Sequence, residues 1–567
     1  MSLSAVPTQM VGVLDPKVRV NSKRVYAVLK GSSVNSWQVF PATTINNSQI
    51  QITCNPPNRD IIINRKCYLR ATFTLTFTGV GNPLLRMDGA DAPRAYGLAQ
   101  SISSLQMTVN NDTITQAPLY QYFPALLHYH NKVETRREEY SMTPSMLDQS
   151  QEYSSLFQTV RSPLRGYRDS VSAGDESRAG FPMVINNGNN TATVQLTITE
   201  PIWLSPFLFG EDEASGLVGV QNMSFSATLG NLQRLWSHDA VNGNNITALS
   251  VSLNSASLLF NYMTPNPLEP IPRAISYPYF NIVSYPTKSN AVIPAGSSVT
   301  LQMSNVQLTS IPRRMYIFAR DDDSVYQNDG GYAYSDSFLS LSGSGNPLRV
   351  SWNNNQFLSG ASVQDLYKLA VKNGCSISYP SWVGALTGAN FAGTASVSTG
   401  VGSVLCLEFG TDIGLNPTES AGLLGNFQIS LAGDFKNISQ RNITPTLYVV
   451  MVYEGVFNCI DGACSHSIGV LTQKDVLEAP LDSGVSYKQV ENVYGGGWWD
   501  DFTGGLEKGF KTVANIGEKV LPYAPLLLGA GGSGAQSYSG GKKRGRKGGV
   551  LLGGAMADRK ALMKRLH

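Results

Sequence analysis

Apolar and polar residues alternate along most of the first 480 positions. In KCYLRATFTLTFTG (Lys66 to Gly79), Tyr68, Phe73, Leu75 and Phe77 stand among threonines, and from Thr72 the alternation is strict. A period of two is the signature of a half-buried strand, because successive side chains point to opposite faces. The same rhythm returns in TATVQLTITEPIWL (Thr191 to Leu204), ALSVSLNSASLLF (Ala248 to Phe260), SSVTLQMSNVQL (Ser297 to Leu308) and TLYVVMVYEGVF (Thr446 to Phe457). Loops rich in Asn, Gly and Pro separate these runs, as turn chemistry requires.

Helical periodicity is local. APLYQYFPALLHYH (Ala117 to His130) and SVQDLYKLAVKNG (Ser362 to Gly374) are the better candidates. In the second, Ser362 is placed as N-cap and Gly374 as the stop. TPSMLDQ (Thr143 to Gln149) adds a short turn, and ESAGLLGNFQI (Glu419 to Ile429) opens with one before returning to strand.

Five prolines between Asn261 and Phe280 mark the main boundary. Proline removes a ladder donor, so the segment is expected to bridge sheets and not to lie inside one. Each flanking piece has room for an eight-stranded two-sheet sandwich with one inserted helix. No sequence repeat links the two pieces beyond the shared rhythm.

After the glycines at 495–497 the period changes. Trp499, Phe502, Leu506, Phe510, Val513, Ile516 and Val520 recur at steps of three or four, which predicts one face of an amphipathic helix. Gly504, Gly505, Gly509 and Gly517 weaken it, each by about 1 kcal/mol relative to alanine. The glycine-rich basic stretch past Pro522 reads as disorder.

Composition sharpens this division. Charged residues make up 15% of the chain, below the roughly one quarter usual for soluble domains. The net charge of +3 hides an asymmetry, with twelve Lys or Arg against five Asp or Glu from Gly495 onward and 31 against 35 before it. The basic balance belongs to the tail.

Chemistry is sparse. The five histidines are His128, His130, His238, His466 and His567. His128 and His130 sit two apart on a predicted helix and therefore on different faces. Ser237, His238 and Asp239 are adjacent, but a triad is assembled in space and adjacency does not make one. Asp321 to Asp323 do not follow the ligand order of a calcium loop. Six scattered cysteines show no paired zinc spacing, and Cys459, Cys464 and His466 form a poor signature. No secretory leader or membrane-length apolar run is read, so synthesis and assembly within a cell are expected. No catalytic residue, metal or cofactor is assigned.

The tail does carry two processing words. LLGAG (Leu527 to Gly531) and LLGGA (Leu551 to Ala555) set an aliphatic anchor before a bond between tiny residues. They resemble sites read by a cysteine protease of the adenovirus maturation type, with cuts at Ala530/Gly531 and Gly554/Ala555. LSGSG (Leu341 to Gly345) also fits but lies within a predicted domain; exposure and flexibility separate the sites. Lys542, Lys543, Arg544, Arg546 and Lys547 admit three readings: an import signal, a nucleic-acid patch acting on phosphates, or a solubilising end.

Particular stretches carry a family resemblance: CNPPNRDIIINRKCYLR, TPSMLDQ, RLWSHD, PIPRAISYPYFNIVSY, SIPRRMYIFAR and SGASVQDLYKLAVKNG. With the layout of residues 12–480, they resemble double jelly-roll major capsid proteins of the adenovirus, virophage and Polinton-like virus lineage. The resemblance implies an all-β fold with an arm at 1–20, jelly rolls at 21–264 and 265–482, and a tail at 483–567. It implies a homotrimer whose paired sandwiches make a pseudo-hexagonal capsomer of an icosahedral DNA-virus shell, located in the virion and assembled in a cytoplasmic virus factory or the nucleus. The partners it implies are neighbouring capsomers, penton and minor capsid proteins. A maturation protease, with genome DNA or an internal membrane, is expected at the tail. Compared with adenovirus hexon the chain lacks room for tower-like loops. A minor capsid or spike protein, or a carbohydrate-binding β-sandwich, are the competing readings.

Overall fold

The computed structural model describes residues 34–85, 91–93, 96–116, 118, 121–122, 129, 183–207, 216–238, 245–264, 274–321, 339–342, 347–375, 377–387, 397–399, 402–438, 442–460, 462–469 and 471–478. The chain divides into compact units at 1–513 and 514–567, and every described residue belongs to the first.

Strands between Val34 and Thr264 form one sandwich. Its first sheet has the order β1 (Val34–Pro41), β12 (Asn245–Thr264), β4 (Ile62–Val80), β9 (Thr191–Pro201), β8 (Met183–Asn187). Its second runs β2 (Thr44–Asn46), β3 (Gln49–Thr53), β10 (Met223–Leu229), β6 (Ile102–Val109), β7 (Asp112–Gln116). A small pair, β5 (Asp91–Pro93) with β11 (Trp236–His238), and helix α1 (Gly97–Ser101) lie beside them.

The second sandwich repeats this order. One sheet runs β13 (Ala274–Lys288), β23 (Pro445–Ile460), β15 (Arg314–Asp321), β21 (Val404–Glu408), with β24 (Ala463–Ile468) also on β23. The other runs β14 (Ser298–Ser310), β22 (Leu424–Lys436), β17 (Leu348–Trp352), β18 (Asn355–Phe357), with β16 (Ser340–Leu341) on β22. In each half the first strand pairs with the long late strand, β1 with β12 and β13 with β23. The internal repeat is one of topology and was invisible in the residues. Helices α2 (Val363–Lys372), α3 (Tyr379–Val383) and α4 (Gln473–Glu478), and the pair β19 (Ala385–Thr387) with β20 (Val397–Thr399), complete the described elements.

Strand β4 shows how pattern becomes core. Leu69, Ala71, Phe73, Leu75 and Phe77 face inward and are buried, while Thr72 and Thr74 lie on the outer face. Tyr68 has the opposite parity to Phe73, so it belongs to that outer face, with its ring centroid 6.0 Å from Trp37. A single odd step decides the side in a pleated strand.

The expectation that Asn261 to Phe280 lies outside the sheets is corrected. Pro278 and Phe280 lie within β13, and Asn261 lies within β12. Proline is tolerated because β13 is an edge strand in its described pairing, where half of the N–H groups face away from the ladder. The described strands leave only 265–273 between them, outside the described residues. As expected for ESAGLLGNFQI, a turn at 421–422 and an isolated bridge at Leu423 come before β22 begins at Leu424.

Helix α2 starts as its sequence predicts. Ser362 Oγ accepts from the Asp365 N–H at 3.2 Å, and the Ser362 N–H donates to Asp365 Oδ2 at 3.2 Å, a reciprocal capping box. Gly374, at φ 105°, ends it. Of the expected helix at Ala117 to His130, Gln121, Tyr122 and Tyr129 are helical and most of the rest is outside the described residues. Thr143 to Gln149 also lie outside them.

Candidate functional site

The two sandwiches meet where two hairpin turns converge. Val109 pairs with Asp112 around Asn110 and Asn111, and Ile460 pairs with Ala463 across a turn that holds Gly462. Asn110 adopts φ 52° and Gly462 φ 90°, the left-handed conformations that two-residue hairpin loops demand.

Asn110 ties the turns together. Its Nδ2 donates to the carbonyls of Gly219 at 3.0 Å and Gly462 at 2.7 Å, while its Oδ1 accepts the N–H groups of Gln221 at 2.7 Å and Asn222 at 3.0 Å. One amide thus holds three chain segments.

Two other amides imitate a strand. Asn111 Nδ2 donates to the Cys464 carbonyl at 3.0 Å, and Asn111 Oδ1 accepts the Cys464 N–H at 2.8 Å. Gln116 does the same to Ile282, donating through Nε2 to its carbonyl and accepting its N–H at 3.4 Å through Oε1. A carboxamide offers the donor and acceptor of a peptide group, so each satisfies one position of a strand edge.

The face of β13, β23 and β24 turned toward the first sandwich carries Tyr277, Tyr279, Phe457, Cys459, Cys464 and His466. Tyr277 Oη donates to the Gly216 carbonyl at 2.6 Å and lies under the Arg65 guanidinium, 5.6 Å from its ring centroid. Phe280 N–H donates to Ser205 Oγ at 3.0 Å. His466 Nδ1 sits 2.7 Å from Asp112 Oδ2, and its ring is 4.9 Å from that of Tyr279. Gly455 is the ladder partner of Tyr279, and an added Cβ there would come within 2.0 Å of the Ser467 carbonyl oxygen. Burial pushes the Tyr277 hydroxyl up from its ordinary range and holds Tyr279 at about 12. Both remain neutral at physiological pH.

A second junction lies on the outer face of the β13 sheet. Tyr129, from the first half of the chain, donates through Oη to the Val404 carbonyl at 2.8 Å and packs 5.3 Å from the Tyr316 ring. Trp382 of α3 donates through Nε1 to that same carbonyl at 2.9 Å. Beneath them Arg314 Nη2 meets Glu408 Oε1 at 2.7 Å, both side chains almost wholly buried.

These contacts tie the two sandwiches to each other. Among the described residues no group of three His, Cys, Asp or Glu is placed to bind a metal, and no helix is long and apolar enough to cross a membrane. All six cysteines are free thiols and buried. His238 lies in β11 and Asp321 ends β15, whereas His128, His130, Asp239, Asp322 and Asp323 fall outside the described residues. So do the predicted helix face from Trp499 to Val520, the basic run from Lys542 to Lys547, and both tail sites, Ala530/Gly531 and Gly554/Ala555. The third matching word, at Leu341, starts in the core: Leu341 is 1% exposed and its N–H donates to Ser403 Oγ at 2.9 Å.

Sequence reasoning missed Asn110, Asn111, Asp112 and Gln116, whose partners lie far along the chain. One signal was available. In CIDGAC the Asp-Gly dipeptide predicts a two-residue hairpin, which sets Cys459 and Cys464 opposite each other.

Comparisons place this architecture. Residues 8–264 match the model of the Sputnik virophage major capsid protein first domain, and residues 283–455 match the major capsid protein V20 C-terminal domain. The chain is 32% identical over 602 aligned positions to the V20 capsid protein of Sputnik virophage, covering all of both chains. Its structure resembles the Sputnik virophage structure determined by cryo-EM at 3.5 Å, with a TM-score of 0.73 and 31% identity, over 87% of this chain and 100% of that one. The mavirus major capsid protein shares the fold at a TM-score of 0.64 and 15% identity, over 85% and 100%. With two sandwiches of matching strand order joined by a seam of amides and aromatics, and with these relatives, the chain belongs to the Sputnik virophage family of double jelly-roll major capsid proteins.

Proposed function

We propose that this capsid protein acts as a homotrimer, in which three copies of the paired sandwiches make a pseudo-hexagonal capsomer that tiles an icosahedral shell. The observation that carries this reading is the seam. Amides, rings and the His466–Asp112 contact join the sandwiches within one chain, so each subunit presents two similar bodies and three subunits present six. Cyclic trimers use heterologous contacts, in which one patch meets a different patch of the next copy. A surface suited to that contact is the edge strand β1, where Trp37 and Val39 are each 54% exposed beside Tyr68.

The tail reading extends this proposal. Jelly rolls at 21–264 and 265–482 carry a segment at 483–567 that works inside the particle. Its amphipathic face meets an internal membrane or another inner surface, its basic run meets genome DNA, and a maturation protease cuts at Gly554/Ala555 or Ala530/Gly531. Penton, minor capsid proteins and adjoining capsomers are the neighbours of the shell, which assembles in the host cell.

Electron microscopy with mass photometry of the purified full chain tests the first part. Hexagonal particles of three chains are expected, and Trp37→Ser should shift them toward monomer; a wild-type protein that stays monomeric at all concentrations overturns the trimer. Intact mass of chains from mature particles tests the second. An end at Gly554 or Ala530 is expected, and an end at His567 removes processing.

A further inference from the structure

Cys459 and Cys464 stand directly opposite each other on β23 and β24, their sulphurs 3.3 Å apart and both residues buried. Asn111 takes both the N–H and the carbonyl of Cys464. Those backbone groups therefore turn away from β23, which makes the cysteines a non-hydrogen-bonded pair of the ladder. Such pairs hold their Cα atoms about 4.5 Å apart, inside the range a disulfide spans.

The two sulphurs are not equivalent. Cys459 Sγ donates to the Val218 carbonyl at 3.0 Å, Cys464 Sγ donates to Cys459 Sγ, and Asn110 Nδ2 donates to Cys464 Sγ at 3.5 Å. The hydrogen bond from Cys464 draws the Cys459 thiol below its ordinary value, whereas that same contact and burial push Cys464 up. A thiolate on Cys459 keeps the hydrogen bond that Cys464 donates to it.

We propose that Cys459 and Cys464 are a latent disulfide site, which a peroxide closes to staple the β23–β24 hairpin where it packs on the first sandwich. The Cys459 thiolate attacks the peroxide O–O bond and becomes a sulfenic acid, and the departing oxygen takes up a proton and leaves as water. The Cys464 sulphur then attacks the sulfenic sulphur, and the expelled hydroxyl leaves as water with the Cys464 proton. In balance, two thiols and one hydrogen peroxide give one disulfide and two waters. Cytosol keeps such thiols reduced and the medium outside cells does not. The staple is thus open during assembly and closes in a released particle.

The rest of the seam gives the staple something to act on. Asn110, Asn111 and Val218 all contact the hairpin at or beside the two cysteines, so restraining its opening restrains the junction as well.

The test uses the reduced full chain and hydrogen peroxide, quenched with catalase, denatured in urea with iodoacetamide and digested with trypsin. Both cysteines fall in one peptide, Asn442 to Lys474. That peptide should lose two hydrogens and take no alkyl group, while Cys54, Cys67, Cys375 and Cys406 stay alkylated. With Cys464→Ser, dimedone should trap a sulfenic acid on Cys459. Hydrogen exchange across 455–468 should slow several-fold in the oxidised wild type. Full alkylation of both cysteines after peroxide, separate sulfonic acids on each, or earlier closure of another cysteine pair overturns the proposal. The wild-type peptide decides the matter even where a variant does not fold.

Discussion

The β1-β12-β4-β9-β8 sheet and the β13-β23-β15-β21 sheet have equivalent strand order, yet their outer faces are opposites. On the first, Thr72, Thr74, Thr193 and Thr197 are partly exposed, and Thr72 and Thr197 share a hydroxyl hydrogen bond at 3.0 Å across the strands. On the second, Tyr316, Val450 and Cys406 are fully buried, and the Arg314–Glu408 ion pair lies among them. The difference is cover. Trp382 of α3 and Tyr129 lie over the second sheet, and α2 is tied to β21 through Asn373 Nδ2, which donates to the Cys406 carbonyl at 2.8 Å. A sheet covered on both faces needs apolar residues at every position; one open on a face keeps the alternation.

The largest break in this contrast should come from Glu408→Ala. It leaves Arg314 charged and buried without its carboxylate, and removing one member of a buried pair costs about 3–5 kcal/mol. Urea unfolding followed by hydrogen exchange across 314–320 should show the loss in the second sandwich first.

Glu200 offers a pH test confined to the first sandwich. Its buried carboxyl accepts the N–H groups of Leu98 at 3.0 Å and Ala99 at 2.7 Å, but burial outweighs them and raises its pKa from 4.5 to about 7. A raised carboxyl favours the folded state below pH 4.5, and that contribution is lost as pH climbs to about 7. At about 1.4 kcal/mol per pH unit the swing reaches up to about 3 kcal/mol, before other titrations. Hydrogen exchange across 97–109, corrected for the intrinsic effect of pH, should report less protection at pH 8 than at pH 5. Glu200→Gln should flatten the difference.

A paired substitution sharpens the contrast most directly. Val450→Thr puts a hydroxyl on the covered face and should cost about 1–3 kcal/mol, the penalty of an unsatisfied buried polar group. Thr72→Val on the open face should stay within about 0.5 kcal/mol, as surface substitutions do. Thermal melts of the two variants decide it, and equal effects would show that the two outer faces are in like surroundings.

How far the residues announced this depends on where each partner lies. Phe73, Leu75 and Phe77 were legible because their neighbours are in the same short pattern. The Ser362 cap was legible because its partner is three residues on. TLYVVMVYEGVF was read as a half-buried strand, and β23 is buried on both faces because helices and the other half of the chain cover it. Asn110 and Gln116 gave no local sign, because their bonds reach Gly462 and Ile282 far along the chain.

By itself the sequence determined strand periodicity, the capping of α2, the poverty of catalytic groups and the family likeness, all of which are local properties of residues and their spacing. Only the tertiary structure decided which faces are covered, that Pro278 belongs to an edge strand, and that Asn110, Asp112, Cys459 and Cys464 share one seam. Contacts between residues more than 300 positions apart are set by how two sandwiches pack, and no short window of sequence contains both sides of such a contact.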